Sequence, residues 1–129
     1  FDNGKISVWL ACLRPDRAVS MHCHQRKEAA FVPLSDNVTF RTLLAAEPLQ
    51  GHIAIEKGVF HSQENNTGED AFFLEYEWPS EKADLVRYKD RYGRTGLGYE
   101  GKRSMVDLAS SINDLNMPDS VKFFARKVA

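Results

Sequence analysis

The chain has 129 residues, 43% hydrophobic and 27% charged, which suits one globular domain around a single core and excludes global disorder. Its 17 Lys plus Arg are offset by 18 Asp plus Glu, so no net field draws it to nucleic acid or to an anionic membrane. No run approaches the roughly 20 apolar residues of a membrane helix, and nothing near the start pairs a basic stretch with an apolar one, so a cytoplasmic protein is expected.

Taken in order, short β-type runs occur at residues 6–13, 18–24, 28–34, 38–44, 52–56, 59–63, 71–78 and 84–89. They are separated by Arg14-Pro15-Asp16, Ser35-Asp36-Asn37, Glu47-Pro48, Lys57-Gly58, residues 65–68 and Pro79-Ser80, all rich in turn formers. Many short strands at this spacing predict a sandwich or a barrel. In 71–78, Phe72, Leu74, Tyr76 and Trp78 share one face while Phe73, Glu75 and Glu77 share the other. Both faces are partly apolar, as the wall of a closed barrel requires. Cys12 and Cys23 lack the spacing of a zinc ribbon or redox pair and are expected as reduced thiols in that wall.

After the Gly-rich residues 93–101 the period changes. Met105, Leu108, Ile112 and Leu115 recur at helical spacing behind a Ser104 cap, and Val121, Phe124 and Val128 mark a second, weaker helix beyond Asn116-Met117-Pro118. The expected organisation is a β-barrel over 1–100 and a helical extension over 101–129 that packs on the barrel or on a partner subunit.

Two segments carry chemistry. The first is His22-Cys23-His24-Gln25-Arg26-Lys27-Glu28 and the second Gly58-Val59-Phe60-His61-Ser62-Gln63-Glu64-Asn65. Residues two apart on a strand point to one side, so His22 and His24 face together. Glu28 follows a short turn and can close on the same ion, and His61 can arrive from across the barrel. Three neutral imidazoles and one carboxylate suit Fe, Mn, Ni, Cu or Zn as a divalent ion and leave positions open for water or substrate.

These segments resemble the two motifs of the cupins, H-x-H followed after three or four residues by E, and P-x-G-x-x-H-x-x-x-N. Glu56 stands where the second motif usually has Pro, and Ser35 near where the first usually ends in Gly. The resemblance implies an all-β fold, the cupin double-stranded β-helix or jelly-roll barrel with short C-terminal helices. It also implies a metal held by His22, His24, Glu28 and His61, and a homodimer. Residues 83–94 are similar to the D-I-V-R-x-x-D-x-Y-G-R segment that closes the cupin domain of type II phosphomannose isomerases, which implies carbohydrate chemistry.

The expected function is therefore that of a cupin metalloprotein acting on a small polar molecule, sugar-like or carboxylated, with isomerase or epimerase chemistry first. An Fe(II) dioxygenase and a non-catalytic small-ligand binder are the alternatives. Glu75 or Glu77 would be the acid or base if their face lines the barrel; with that face outward both are ordinary solvated charges. Gln63 and Asn65 share parity with His61 and are candidates for orienting a water, a ligand or a nearby turn, and Tyr76 is a candidate ligand contact. Arg87, Lys89, Arg91 and Arg94 can reach a phosphate or carboxylate, but Asp84 and Asp90 among them favour structural salt bridges.

Overall fold

A computed structural model describes residues 1–89 and 125–128. Among these, eleven strands form two antiparallel sheets: β1 (Ser7–Leu13), β2 (Arg17–Ala18), β3 (Met21–Cys23), β4 (Glu28–Pro33), β5 (Thr39–Thr42), β6 (Ala46–Pro48), β7 (His52–Ile55), β8 (His61–Asn65), β9 (Ala71–Trp78), β10 (Val86–Lys89) and β11 (Ala125–Val128). The first sheet runs β1-β9-β4-β7-β11. The second runs β10-β3-β8-β5-β6, with β2 also pairing β8.

The strands break where the turn formers stand. Asp16, at φ 56°, follows Pro15 in the first of these turns, a left-handed position that Asp tolerates better than most residues. Gly58, at φ 80°, lets the chain double back before His61, and its N–H donates to the carbonyl of His24 at 2.6 Å. The glycine of the second motif thus ties the approach to His61 to the His22–His24 segment.

Register decides which residues face in. Ser7 lies opposite Glu77, Trp9 opposite Glu75 and Ala11 opposite Phe73. Across the other edge of β9, Ala29 lies opposite Glu77 and Phe31 opposite Glu75. The inward set therefore includes Phe31, Phe73, Glu75 and Glu77, and Tyr76 shares the opposite face with Leu74 and Trp78. Phe31, Phe40, Phe73, Ile53 and Ile55 pack with Leu13, Val38 and Leu49 into the main core. Each fully buried apolar side chain of this kind contributes about 1.5–3 kcal/mol. The outer face is less covered: Leu10 is 67% exposed and Phe72 39%.

The all-β expectation holds, with three differences. Residues 18–24 are split, because Val19 and Ser20 leave the ladder between β2 and β3. Ala46–Pro48 pairs with β5 although Glu47-Pro48 reads as a turn, since an edge strand tolerates Pro. Residues 125–128, expected at the end of the second helix, form a strand that pairs with the open edge of β7, while the rest of that helix lies outside the described residues. The first expected helix, from Ser104 to Leu115, lies outside the described residues.

Candidate metal centre

His22 lies opposite His61 in the register of β3 and β8, so their side chains project to the same face. His24 follows directly after β3 and, by parity, turns inward as well. The three imidazoles meet with ring centroids 4.9 Å (His22–His24), 4.4 Å (His22–His61) and 5.3 Å (His24–His61) apart. One potential ligand atom from each lies within 4.8 Å of the other two. Phe31 and Phe40 sit against His61, with centroids at 5.4 and 6.4 Å, and close the floor of the group with core side chains.

The Nδ1 atoms point away from this meeting point. That of His22 lies 2.6 Å from the carbonyl of Ser20, that of His24 2.7 Å from the carbonyl of Asp84, and that of His61 2.8 Å from the carbonyl of Val59. A carbonyl only accepts, so each Nδ1 carries the hydrogen and each Nε2 keeps its lone pair. Such outer hydrogen bonds orient metal-binding imidazoles and raise their basicity.

The Nε2 atoms of His24 and His61 are buried with no hydrogen-bond partner among the described residues. Unmatched buried acceptors cost about 1–3 kcal/mol each, and a divalent ion would satisfy them. Burial first, then the neighbouring His24, pushes the His22 pKa down to about 3. Burial and then His61 push that of His24 down to about 2, and burial and then His22 hold His61 well below its ordinary value. All three are thus neutral at neutral pH, the form that binds a metal. The donor set fits a divalent transition metal.

Glu28 is not brought into the group. It lies opposite Trp78, on the outward face of β4, while Lys27, Ala29 and Phe31 take the inward parity. The cause is the turn before β4. The Asp84 carboxylate accepts the backbone N–H groups of Gln25 (3.0 Å), Arg26 (2.7 Å) and Lys27 (2.9 Å), and this closed turn sets the phase in which β4 starts. A one-residue difference in phase exchanges the faces of a strand.

Carboxylates come instead from β9. Glu75 and Glu77 each offer an oxygen within 4.8 Å of a ring nitrogen of His24 and of one another. Their environments differ. Glu77 accepts hydrogen bonds from Ser7 Oγ (2.9 Å) and Trp9 Nε1 (3.0 Å), and forms a buried ion pair with Lys27. The Glu75 carboxylate has no hydrogen bond among the described residues, and burial, then the charge of Glu77, pushes its pKa up to about 8. Glu75 and Glu77 line a cavity of about 390 Å³ together with Trp9, His22, His24 and Arg87.

No family model and no curated protein matches the chain in sequence. Solved structures match its architecture. An uncharacterized conserved protein with a double-stranded beta-helix domain from Klebsiella pneumoniae superposes with a TM-score of 0.62 at 14% identity, over 70% of this chain and 75% of that one. A sugar phosphate isomerase of the cupin superfamily from Silicibacter pomeroyi gives 0.58 at 17% identity, over 64% and 56%. A DMSP lyase from Ruegeria pomeroyi gives 0.56 at 12%, over 66% and 44%. The fold is the cupin double-stranded β-helix.

Within this cupin barrel the remaining candidates separate. Gln63 is buried on the face of His61, and its Nε2 has no partner among the described residues. Asn65 serves the turn after β8: its Nδ2 donates to the carbonyls of Leu13 and Glu69, and its Oδ1 accepts the N–H of Thr67. Tyr76 is on the outward face, away from the cavity-lining Glu75 and Glu77. Asp84 spends its carboxylate on the turn-closing bonds above, Arg87 Nε donates to Ser20 Oγ at 3.1 Å, and Asp90, Arg91 and Arg94 lie outside the described residues. Sequence reading missed Lys27 and the role of Asp84. Nothing local marks either, because their partners lie 50 and 57–59 residues away.

Proposed function

We propose that this cupin binds one divalent transition metal through His22, His24 and His61 and uses it on a small polar molecule, sugar-like or carboxylated, in an isomerisation or epimerisation. The observation that carries this reading is the convergence of three imidazoles, His22, His24 and His61, of which His22 and His24 line the same cavity as Glu75. When bound, the ion would polarise a substrate carbonyl or a pair of hydroxyls and stabilise the negative charge that develops there.

The chain's own residues supply the rest. Glu75 moves the proton: it lines the cavity, it is not held by a donor among the described residues, and a pKa near 8 lets it hold or release a proton close to neutrality. Glu77 is fixed by Ser7, Trp9 and Lys27, so it positions β9 and keeps a negative charge beside Glu75 rather than exchanging a proton itself. The closed apolar floor of Phe31 and Phe40 keeps water from reaching the imidazoles from below. Sugar phosphate isomerisation by a protein of the same architecture is consistent with this chemistry.

The test is deuterium exchange. Metal-replete protein is incubated in D₂O with small hydroxy-aldehydes, hydroxy-ketones and 2-hydroxy acids, and incorporation at carbon is followed by NMR. Exchange by the wild type, abolished in Glu75→Gln at unchanged metal content, is the expected result. Oxygen uptake by the Fe(II)-loaded protein without exchange would replace this reading by a dioxygenase, and saturable binding without either by a ligand sensor.

A further inference from the structure

Arg87 is the charged residue of the cavity that the reaction above leaves without a role. Asp84, the acid three residues before it, commits its carboxylate to the backbone of Gln25, Arg26 and Lys27. Arg87 stands directly opposite His22 in the register of β10 and β3, and His61 stands opposite His22 on the other side. Arg87, His22 and His61 therefore form one row across three strands, in which directly opposed Cβ atoms are about 4.5–5.5 Å apart.

Ser20 fixes two members of that row. Its hydroxyl accepts from Arg87 Nε at 3.1 Å, and its carbonyl accepts from His22 Nδ1 at 2.6 Å. Guanidinium and imidazole are thus oriented by one residue, and both line the cavity.

Charge points the same way. Among the described residues, the charged side chains lining the cavity are Glu75, Glu77 and Arg87, and Lys27 pairs with Glu77 from behind. With Glu75 ionised, two carboxylates are matched by two cations, and a proton on Glu75 leaves the balance more positive still. The two positive charges of a bound ion would face the cavity uncompensated, since Glu28 is turned outward and Ala29 occupies the inward position beside Glu77.

We propose that the molecule taken here carries an oxyanion, a carboxylate in the first place, which the Arg87 guanidinium holds one strand away from the metal. A guanidinium fork matches a planar carboxylate with two parallel hydrogen bonds. A cavity of about 390 Å³, near the lower end for ligand sites, admits a small acid or a small phosphorylated compound. The inference rests on the three-histidine metal reading for the position of the second binding point.

Isothermal titration of zinc-loaded protein with glycolate, inorganic phosphate and neutral ethylene glycol tests it. Glycolate binds, ethylene glycol does not, and Arg87→Gln weakens glycolate by about 10- to 100-fold, the loss of one charge-assisted contact, with zinc content unchanged. Arg87→Lys, which keeps the charge without the fork, falls between the two, and circular dichroism confirms that each variant is folded. Phosphate displacing glycolate supports recognition of oxyanions in general, and its failure to do so supports the planar carboxylate. Glycolate binding equally well to Arg87→Gln, or ethylene glycol binding as tightly as glycolate, overturns the proposal. Wild-type protein that takes up no stoichiometric zinc defeats the metal reading instead, and the same titrations on metal-free protein then decide the role of Arg87 by themselves.

Discussion

Replacing Lys27 by Met tests whether the barrel depends on the charge pair beneath its cavity. Lys27 and Glu77 are 1% and 8% exposed at their side chains, so water screens neither. In the variant the Glu77 carboxylate keeps its bonds from Ser7 and Trp9 but loses its only buried counter-charge among the described residues. Breaking a buried pair by removing one partner costs about 3–5 kcal/mol, chiefly from the charge left behind. With a urea m-value of roughly 1.5–2 kcal/mol/M, the unfolding midpoint falls by about 2 M. Circular dichroism in urea on metal-free protein reads this directly. The double variant Lys27→Met, Glu77→Gln removes the stranded charge while keeping an acceptor for Ser7 and Trp9, so it recovers most of the loss. A single variant within about 1 kcal/mol of wild type, or a double variant no better than the single, would refute the reasoning.

Three further outcomes are expected. His61→Ala abolishes stoichiometric metal in a barrel that stays folded, whereas Glu28→Gln leaves the metal content unchanged; plasma mass spectrometry on the purified variants decides, and metal loss in Glu28→Gln would restore the motif carboxylate as a ligand. Asp84→Ala removes three backbone contacts from the turn that carries His24 into place, weakening metal affinity by about 10- to 100-fold in competition with a chromophoric chelator. Acid destabilises the metal-free protein between pH 6.5 and about 3, because the histidines have folded pKa values below the ordinary 6.5 and the unfolded chain takes protons that the folded one refuses. At pH 5 this amounts to about 2 kcal/mol for each of His22 and His24, with His61 adding in the same direction. Glu75 acts oppositely, since its raised pKa removes stability as pH rises from 4.5 toward about 8, but one carboxyl does not offset three imidazoles. Equal urea midpoints at pH 7 and pH 5 would contradict the burial of the three rings.

Much of the architecture is legible in the chain because it rests on local rules. Turn formers mark the ends of short strands, and residues 71–78 are read to their observed limits from alternation alone. The pairing of His22 with His24 follows from the two-residue period of a strand, and the approach of His61 from Gly58, whose positive φ the sequence announces by the absence of a side chain. The all-β fold and the meeting of three imidazoles on one face are thus legible from local rules.

Which carboxylates stand near those imidazoles depends on long-range pairing. Alternation separates the faces of a strand without saying which one is inward, and β9 is apolar enough on both that the pairing with Trp9 and Phe31 is what turns Glu75 in and Tyr76 out. The phase of β4 is set by a turn held through Asp84, a residue nearly 60 positions away, and that phase turns Lys27 inward and Glu28 outward. Parity is a local property of the backbone, whereas the side of the sheet that becomes interior is fixed by long-range pairing.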